Sequence, residues 1–178
     1  MRDYRVLFDV GIWFWSLLLH LCYYDAHAFT PDITFNQKGL IMSLEKMCPI
    51  LHFSDLGDER GKLVVIEGGE AIPFEIKRVF YIYESDATVI RGQHANRESE
   101  FVLINVAGKS KVRITDGREE IIIELDKPMT GVYIPNMIWK DMYDFSPDSV
   151  LLVLASTHYD GSEYIRDYDE YIKEMNVK

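Results

Sequence analysis

The chain has 178 residues, 48% hydrophobic and 27% charged, which suits one cored domain with an appendage and excludes an intrinsically disordered polymer. With 29 acidic residues against 19 Lys and Arg, its formal charge of −10 excludes a general nucleic-acid binder, so an anionic ligand must be held by a few local cations. The two cysteines, Cys22 and Cys48, fall in no CxxC pair and no zinc-ligand spacing, and are expected to be reduced.

The chain opens on its most apolar stretch, VLFDVGIWFWSLLLHLCYY at 6–24, preceded by Arg2 and Arg5 and followed by Ala26-His27-Ala28. That outline fits a secretory signal. As a membrane anchor the run is borderline, because Asp9, Gly11 and His20 interrupt it. A third reading starts translation at Met42, with Lys38-Gly39 encoded by bases resembling a ribosome-binding site. We therefore divide the chain into an N-terminal extension, 1–41, and a domain, 42–178. A membrane enters only if the extension is real, and a start at Met42 implies a cytoplasmic protein.

From Met47 onward the pattern predicts strands at 49–53, 62–67, 77–84, 88–96, 100–106, 109–115, 119–125, 130–134, 137–144 and 149–156, separated by turn residues. Asp116-Gly117, between KVRIT and REEIIIEL, is the clearest hairpin signal. Many short strands without interleaved helices indicate an all-β sandwich or barrel. Only the end reads as helical: Ser162 is positioned to cap 163–175, where Tyr164, Ile165, Tyr168, Tyr171, Ile172 and Met175 share a face. That stripe is expected to be ordinary core.

The chemistry-bearing segment is Arg91-Gly92-Gln93-His94-Ala95-Asn96-Arg97. Side chains two apart on a strand share a face, so His94 and Asn96 point together, whereas Arg91 is out of phase unless Gly92 makes a bend. A lone histidine on a strand is more often structural than catalytic. Metal binding finds only one His and one carboxylate here, His94 with Glu98 or Glu100, while His52 and His158 lie far off in sequence; no metal is expected. No serine or cysteine sits in a nucleophile motif, and no glycine pattern cradles phosphate.

IPFEIKRVFYIY, RGQHAN, VRITDG, GVYIPNMIWKDMYDFSPDSVLLVLAS and YIRDYDEYI run in the order found in the sugar-nucleotide 3,4-ketoisomerases, the WxcM-like cupins, which the domain resembles throughout. The resemblance implies a cupin-type jelly-roll β-barrel with a short C-terminal helix, a homodimer and no cofactor. It implies a dTDP-linked keto sugar as ligand, dTDP-4-keto-6-deoxyglucose, isomerised to a 3-keto product during deoxysugar and surface-glycan biosynthesis. By resemblance the segment holding His94 and Asn96 carries the active site and Arg91 is the candidate partner of the diphosphate; we take His94, Asn96 and Tyr81 as catalytic and Arg91, Lys140 and Tyr143 as substrate contacts.

The family's HAH is His94-Ala95-Asn96 here, so the second histidine, its catalytic base, is an amide with no useful proton affinity. A family histidine after Trp is Lys140, and a family glutamine falls on Phe101. His94 is then expected to serve as base at C3 and donor at C4, with Lys140, Tyr81 or Tyr143 assisting the oxygens. The alternative is a sugar-nucleotide-binding cupin with impaired turnover, acting as a binding or partner subunit.

Overall fold

A computed structural model describes residues 42–177; the 1–41 extension lies outside the described residues. In chain order the elements are α1 (Leu44–Met47), β1 (Ile50–His52), β2 (Arg78–Tyr83), β3 (Arg91–Asn96), β4 (Phe101–Ala107), β5 (Ser110–Thr115), β6 (Glu120–Leu125), β7 (Thr130–Ile134), β8 (Trp139–Tyr143), β9 (Val150–Ala155), β10 (Tyr164–Ile165) and α2 (Tyr168–Val177). The strands form two five-stranded sheets, ordered β1-β7-β4-β9-β2 and β10-β3-β8-β5-β6, with antiparallel neighbours. From β2 to β5, and again from β6 to β10, each connection carries the chain to the other sheet. This is the expected cupin-type jelly roll. Among the described residues no helix is long and apolar enough to cross a membrane.

Strand alternation separates three apolar layers. The inward faces meet in a core of Phe101, Leu103, Val112, Ile114, Val132, Leu151 and Val153, all at most 2% exposed. Four residues along β4 from Phe101, about 13 Å at the usual strand rise, Asn105 donates to Ser149 Oγ at 2.8 Å and accepts from Ser110 Oγ at 2.5 Å. These buried groups satisfy one another.

The strand expected at 62–67 does not form; its residues make only isolated contacts such as the Asp55–Val64 bridge. Its apolar side chains instead lie face-on over the outer surface of the first sheet. There Phe53, Ile72 and Phe74, with Val64 and Ile66, cover Val102, Ile104 and Leu154. The apolar pattern was real, but it marks coverage of a sheet face rather than a ladder.

The expected helix at 163–175 begins later. Asp160 Oδ1, not Ser162, accepts from the Ser162 amide at 2.8 Å and caps a 3-10 turn, Gly161–Glu163. Tyr164 and Ile165 then pair with Asn96 and Ala95, and the helix starts after Asp167, whose Oδ1 accepts from the Glu170 amide at 2.8 Å. Strand pairing has overridden helical periodicity at these two residues. Tyr171, Ile172 and Met175 still face the barrel, over Ala95, Met137, Trp139 and Ile165.

The 3-residue segment Gly92–His94 sets the phase of everything inward of β3. Arg91 pairs with Met142 and His94 with Lys140, with a register shift between Gly92 and His94. Gly92 and Gln93 have φ of 86° and 54°, so one extra residue is inserted as a bulge. Because Met142 and Lys140 are two apart on β8, Arg91 and His94 come to lie on one face. This is the bend that Gly92 was needed to make.

Two stability outcomes follow from these contacts. Gly92→Ala places a Cβ 2.6 Å from the Lys140 carbonyl oxygen and 2.9 Å from Met142 Cε at a positive φ; a loss of about 1–3 kcal/mol in denaturant unfolding is expected, with reduced activity. The fully buried Tyr171 hydroxyl donates to the Thr115 and Met137 carbonyls at 2.9 and 3.1 Å. Tyr171→Phe should therefore cost about 1–2 kcal/mol in the same measurement, by removing the hydroxyl's buried hydrogen bond.

Candidate active site

The inward face of β3 and β8, opposite Phe101 of β4, holds a chain of polar groups in an otherwise apolar barrel. Lys140 is 4% exposed, and its ammonium donates to Asn96 Oδ1 at 2.7 Å and lies 4.6 Å from the Phe101 ring centroid. Asn96, 1% exposed, donates through Nδ2 to Glu163 Oε1 at 3.1 Å. Its orientation is fixed by its partners, since a lysine can only donate and a carboxylate accepts. The Glu163 carboxylate also accepts from the Ser99 hydroxyl and from the Ser99 and Glu98 amides, the last two at 2.8 and 3.2 Å.

His94 stands across from Lys140, half-buried, with its ring 4.8 Å from that of Tyr164. Its Nδ1 lies 2.8 Å from the Gly92 carbonyl oxygen. A carbonyl can only accept, so Nδ1 carries the hydrogen and Nε2 keeps the lone pair. Burial, and then the positive charge of Lys140, push the imidazole down to about 4, and it is neutral near pH 7. Burial likewise pulls the Lys140 ammonium down to about 7; Glu163 opposes that shift and Arg78 adds to it. Lys140 thus exchanges its proton near neutrality, a range useful for acid–base chemistry, while His94 stays unprotonated there.

Cations and aromatic rings surround the pair. Arg78 of β2 shares the inward face with Phe80, since they pair with Ala155 and Val153 of the core. Its guanidinium sits 5.4 Å from the Phe80 ring centroid and 5.5 Å from that of Tyr159, and its Nε and Nη2 are buried without a hydrogen-bond partner. Tyr159 in turn lies 5.8 Å from Tyr164, over which Arg166 is stacked at 4.6 Å. Two unpaired donors on a cation are an open offer to an anion. Among the described residues, no group of three or more His, Cys, Asp or Glu side chains converges to hold a metal.

The structure brings His94, Asn96, Lys140 and Arg91 to one face, with Arg91 exposed at its edge. It does not bring Tyr81 or Tyr143 there. Tyr81 pairs with Leu152 on the outer face of β2, 62% exposed, with its ring against Tyr83. Tyr143 pairs with Lys111 on the outer face of the other sheet, in a groove lined by Ile90, Arg113, Glu120, Ile122 and Asp141. Strand alternation excludes both: each sits an odd number of residues from an inward neighbour, Phe80 or Met142. Sequence reasoning missed Arg78 and Glu163. Arg78 was detectable, because Arg78, Phe80 and Ile82 alternate at period two; Glu163 gave no local signal, since its burial depends on the turn at 161–163 docking beneath β3.

With this geometry in view, the relatives agree. Residues 46–176 match the family described as FdtA: WxcM-like, C-terminal. The chain is 42% identical over 132 residues to the TDP-4-oxo-6-deoxy-alpha-D-glucose-3,4-oxoisomerase of Aneurinibacillus thermoaerophilus, covering 72% of this chain and 95% of that one. A crystal structure of a 3,4-ketoisomerase from Helicobacter canadensis is 43% identical with a TM-score of 0.71, covering 72% of this chain and 97% of that one. A His-to-Asn mutant of the 3,4-ketoisomerase QdtA from Thermoanaerobacterium thermosaccharolyticum, in complex with TDP-4-keto-6-deoxyglucose, is 43% identical with a TM-score of 0.72, covering 74% and 96%. The jelly roll, the buried polar face of β3 and β8 and these matches lead to one conclusion: the chain belongs to the WxcM-like, C-terminal family, FdtA.

Proposed function

We propose that this protein is a sugar-nucleotide 3,4-ketoisomerase acting on a dTDP-linked 4-keto-6-deoxyhexose in deoxysugar or surface-glycan biosynthesis. The observation that carries the reading is the inward face itself, where a neutral imidazole and a buried lysine stand side by side next to an arginine with two unpaired donors. Arg78, joined through Tyr159 and Tyr164 to Arg166, suits the diphosphate, and the Phe80, Tyr159 and Tyr164 rings suit the base and sugar faces. A chain of charge −10 that concentrates cations at one end of its barrel is selecting an anion there.

Moving the ketone from C4 to C3 requires removal of the C3 proton, stabilisation of the enediolate oxygens and delivery of a proton to C4. We assign to His94, with Nδ1–H held by Gly92, the transfer of a hydrogen from O3 to O4. Asn96 acts by orientation, through its two hydrogen bonds to Lys140 and Glu163. That the QdtA His-to-Asn mutant was crystallised with the keto sugar supports the view that an amide in such a site is compatible with binding. The same proposal includes a homodimer, for which β2, an edge strand among the described residues, offers an apolar strip of Val79, Tyr81 and Tyr83, each more than half exposed. It places the reaction in the cytoplasm, a compartment that suits the free thiol of Cys48.

The test is proton NMR of dTDP-4-keto-6-deoxyglucose in D₂O with the full chain. Enzyme-dependent loss of the C3 proton signal and appearance of the 3-keto sugar are expected. Binding of the nucleotide sugar without exchange would replace this reading by a non-catalytic binding subunit. Arg78→Ala should raise KM roughly tenfold or more with a smaller change in kcat, as loss of a charge-assisted contact to the diphosphate predicts.

A further inference from the structure

The amide at position 96 leaves the reaction without the imidazole that its relatives' motif supplies, and the buried polar chain shows what stands in its place. We propose that Lys140 is the catalytic base: its side-chain amine, anchored by Asn96 on the inward face beside His94, removes the C3 proton and returns one at C4. This inference rests on the ketoisomerase reading and names the group that performs its central step.

The geometry favours Lys140 over His94 and Asn96 on separate grounds. Asn96 presents only its carbonyl oxygen to Lys140, so it can hold Nζ in place but cannot take its proton. Glu163, the nearest carboxylate in this chain of contacts, is occupied by Asn96, by the Ser99 hydroxyl and by two backbone amides, and makes no direct ion pair with Lys140. One Nζ valence is therefore committed to Asn96 and the ring of Phe101 lies beside it, with no acceptor for the others among the described residues. The charged and titratable groups packed around the amine are Arg78 from β2, His94 from β3 and Glu163 from the 3-10 turn. Two of these favour the neutral amine or are themselves neutral, and burial favours it further, so a substantial fraction is unprotonated near pH 7. His94 gives up its proton too readily to compete, as its low pKa reflects a poor affinity for one.

The steps balance without a co-reactant. The neutral amine takes the C3 proton and becomes an ammonium, while the C3–H electron pair forms the C3–C4 double bond and the C4 carbonyl pair moves onto O4. His94 Nε2 carries the O3 hydrogen to O4. The O3 electrons then form the C3 carbonyl, and the double-bond pair takes a proton at C4 from the ammonium, which restores the amine. One hydrogen has moved from C3 to C4 and one from O3 to O4.

The experiment is C3–H exchange of dTDP-4-keto-6-deoxyglucose in D₂O, followed from pH 5.5 to 9 with the wild-type full chain and with Lys140→Met and Lys140→Arg, and with dTDP binding by calorimetry as the check on folding. The expected wild-type exchange rate rises about tenfold per pH unit below 7 and levels above it, as a base of that pKa requires. Both variants should lose about 10² to 10⁴ in exchange while still binding dTDP, and Lys140→Met combined with Asn96→His should regain exchange, because an imidazole then supplies the base. Lys140→Arg separates roles, since it keeps a positive charge for the oxygens but cannot give up its proton. Near wild-type exchange in Lys140→Arg, or a wild-type rate that is flat from pH 5.5 to 9, would overturn the assignment while leaving the isomerase reading intact. The pH profile decides even if neither variant folds. No exchange by the wild type at any pH would overturn both.

Discussion

A lysine, an amide and a glutamate buried together in a β-barrel must satisfy one another, because water is not available to do so. That requirement organises this end of the molecule. Lys140 reaches Asn96, Asn96 reaches Glu163, and Glu163 gathers the Ser99 hydroxyl and two backbone amides from the segment that leaves β3. The carboxylate thereby ties the 3-10 turn at 161–163 to the start of β4. The short pairing of Tyr164 and Ile165 with β3 follows from that attachment, as does the delayed start of the C-terminal helix.

The same chain of contacts governs protonation. A carboxylate in direct contact with Lys140 would hold the ammonium charged; an amide between them transmits a hydrogen bond without offering a full countercharge. Placing Asn96 in that gap lets burial act on the lysine, and burial is also the first cause that keeps His94 neutral across the β3–β8 pair. The asparagine at position 96 therefore bears on more than one side chain. It alters which neighbour is basic.

The barrel also shows how a strongly acidic protein can gather positive charge in its interior. Most acidic side chains face solvent, with Glu163 and Asp141 among the buried exceptions, while Lys140 and Arg166 act on His94 and Arg78 acts on Lys140. Phe80, Tyr159 and Tyr164 hold the guanidinium groups by their ring faces, which leaves the polar edges free. At the other end Asn105, Ser110 and Ser149 close the interior with a buried set in which Asn105 uses both its amide donors and its carbonyl oxygen.

Period-two patterning and turn chemistry determined most of the architecture: nine of the expected strands, the Asp116-Gly117 hairpin and the single C-terminal helix were legible as local properties of the chain. So were His94 and Asn96 as a pair, because neighbours two apart on a strand share a face whatever the fold. Tertiary structure decided the rest. Whether 62–67 joined a ladder or lay over a sheet depended on which partner edge was free. Tyr81 and Tyr143 could be assigned to the site or removed from it only once the inward phase of each strand was known, and Arg91 only once the Gly92–Gln93 bulge shifted that phase. Glu163 and the basicity of Lys140 were the least legible of all. Both arise from burial and from partners more than 40 residues away in sequence, and desolvation is a property of the packed interior that no local pattern encodes.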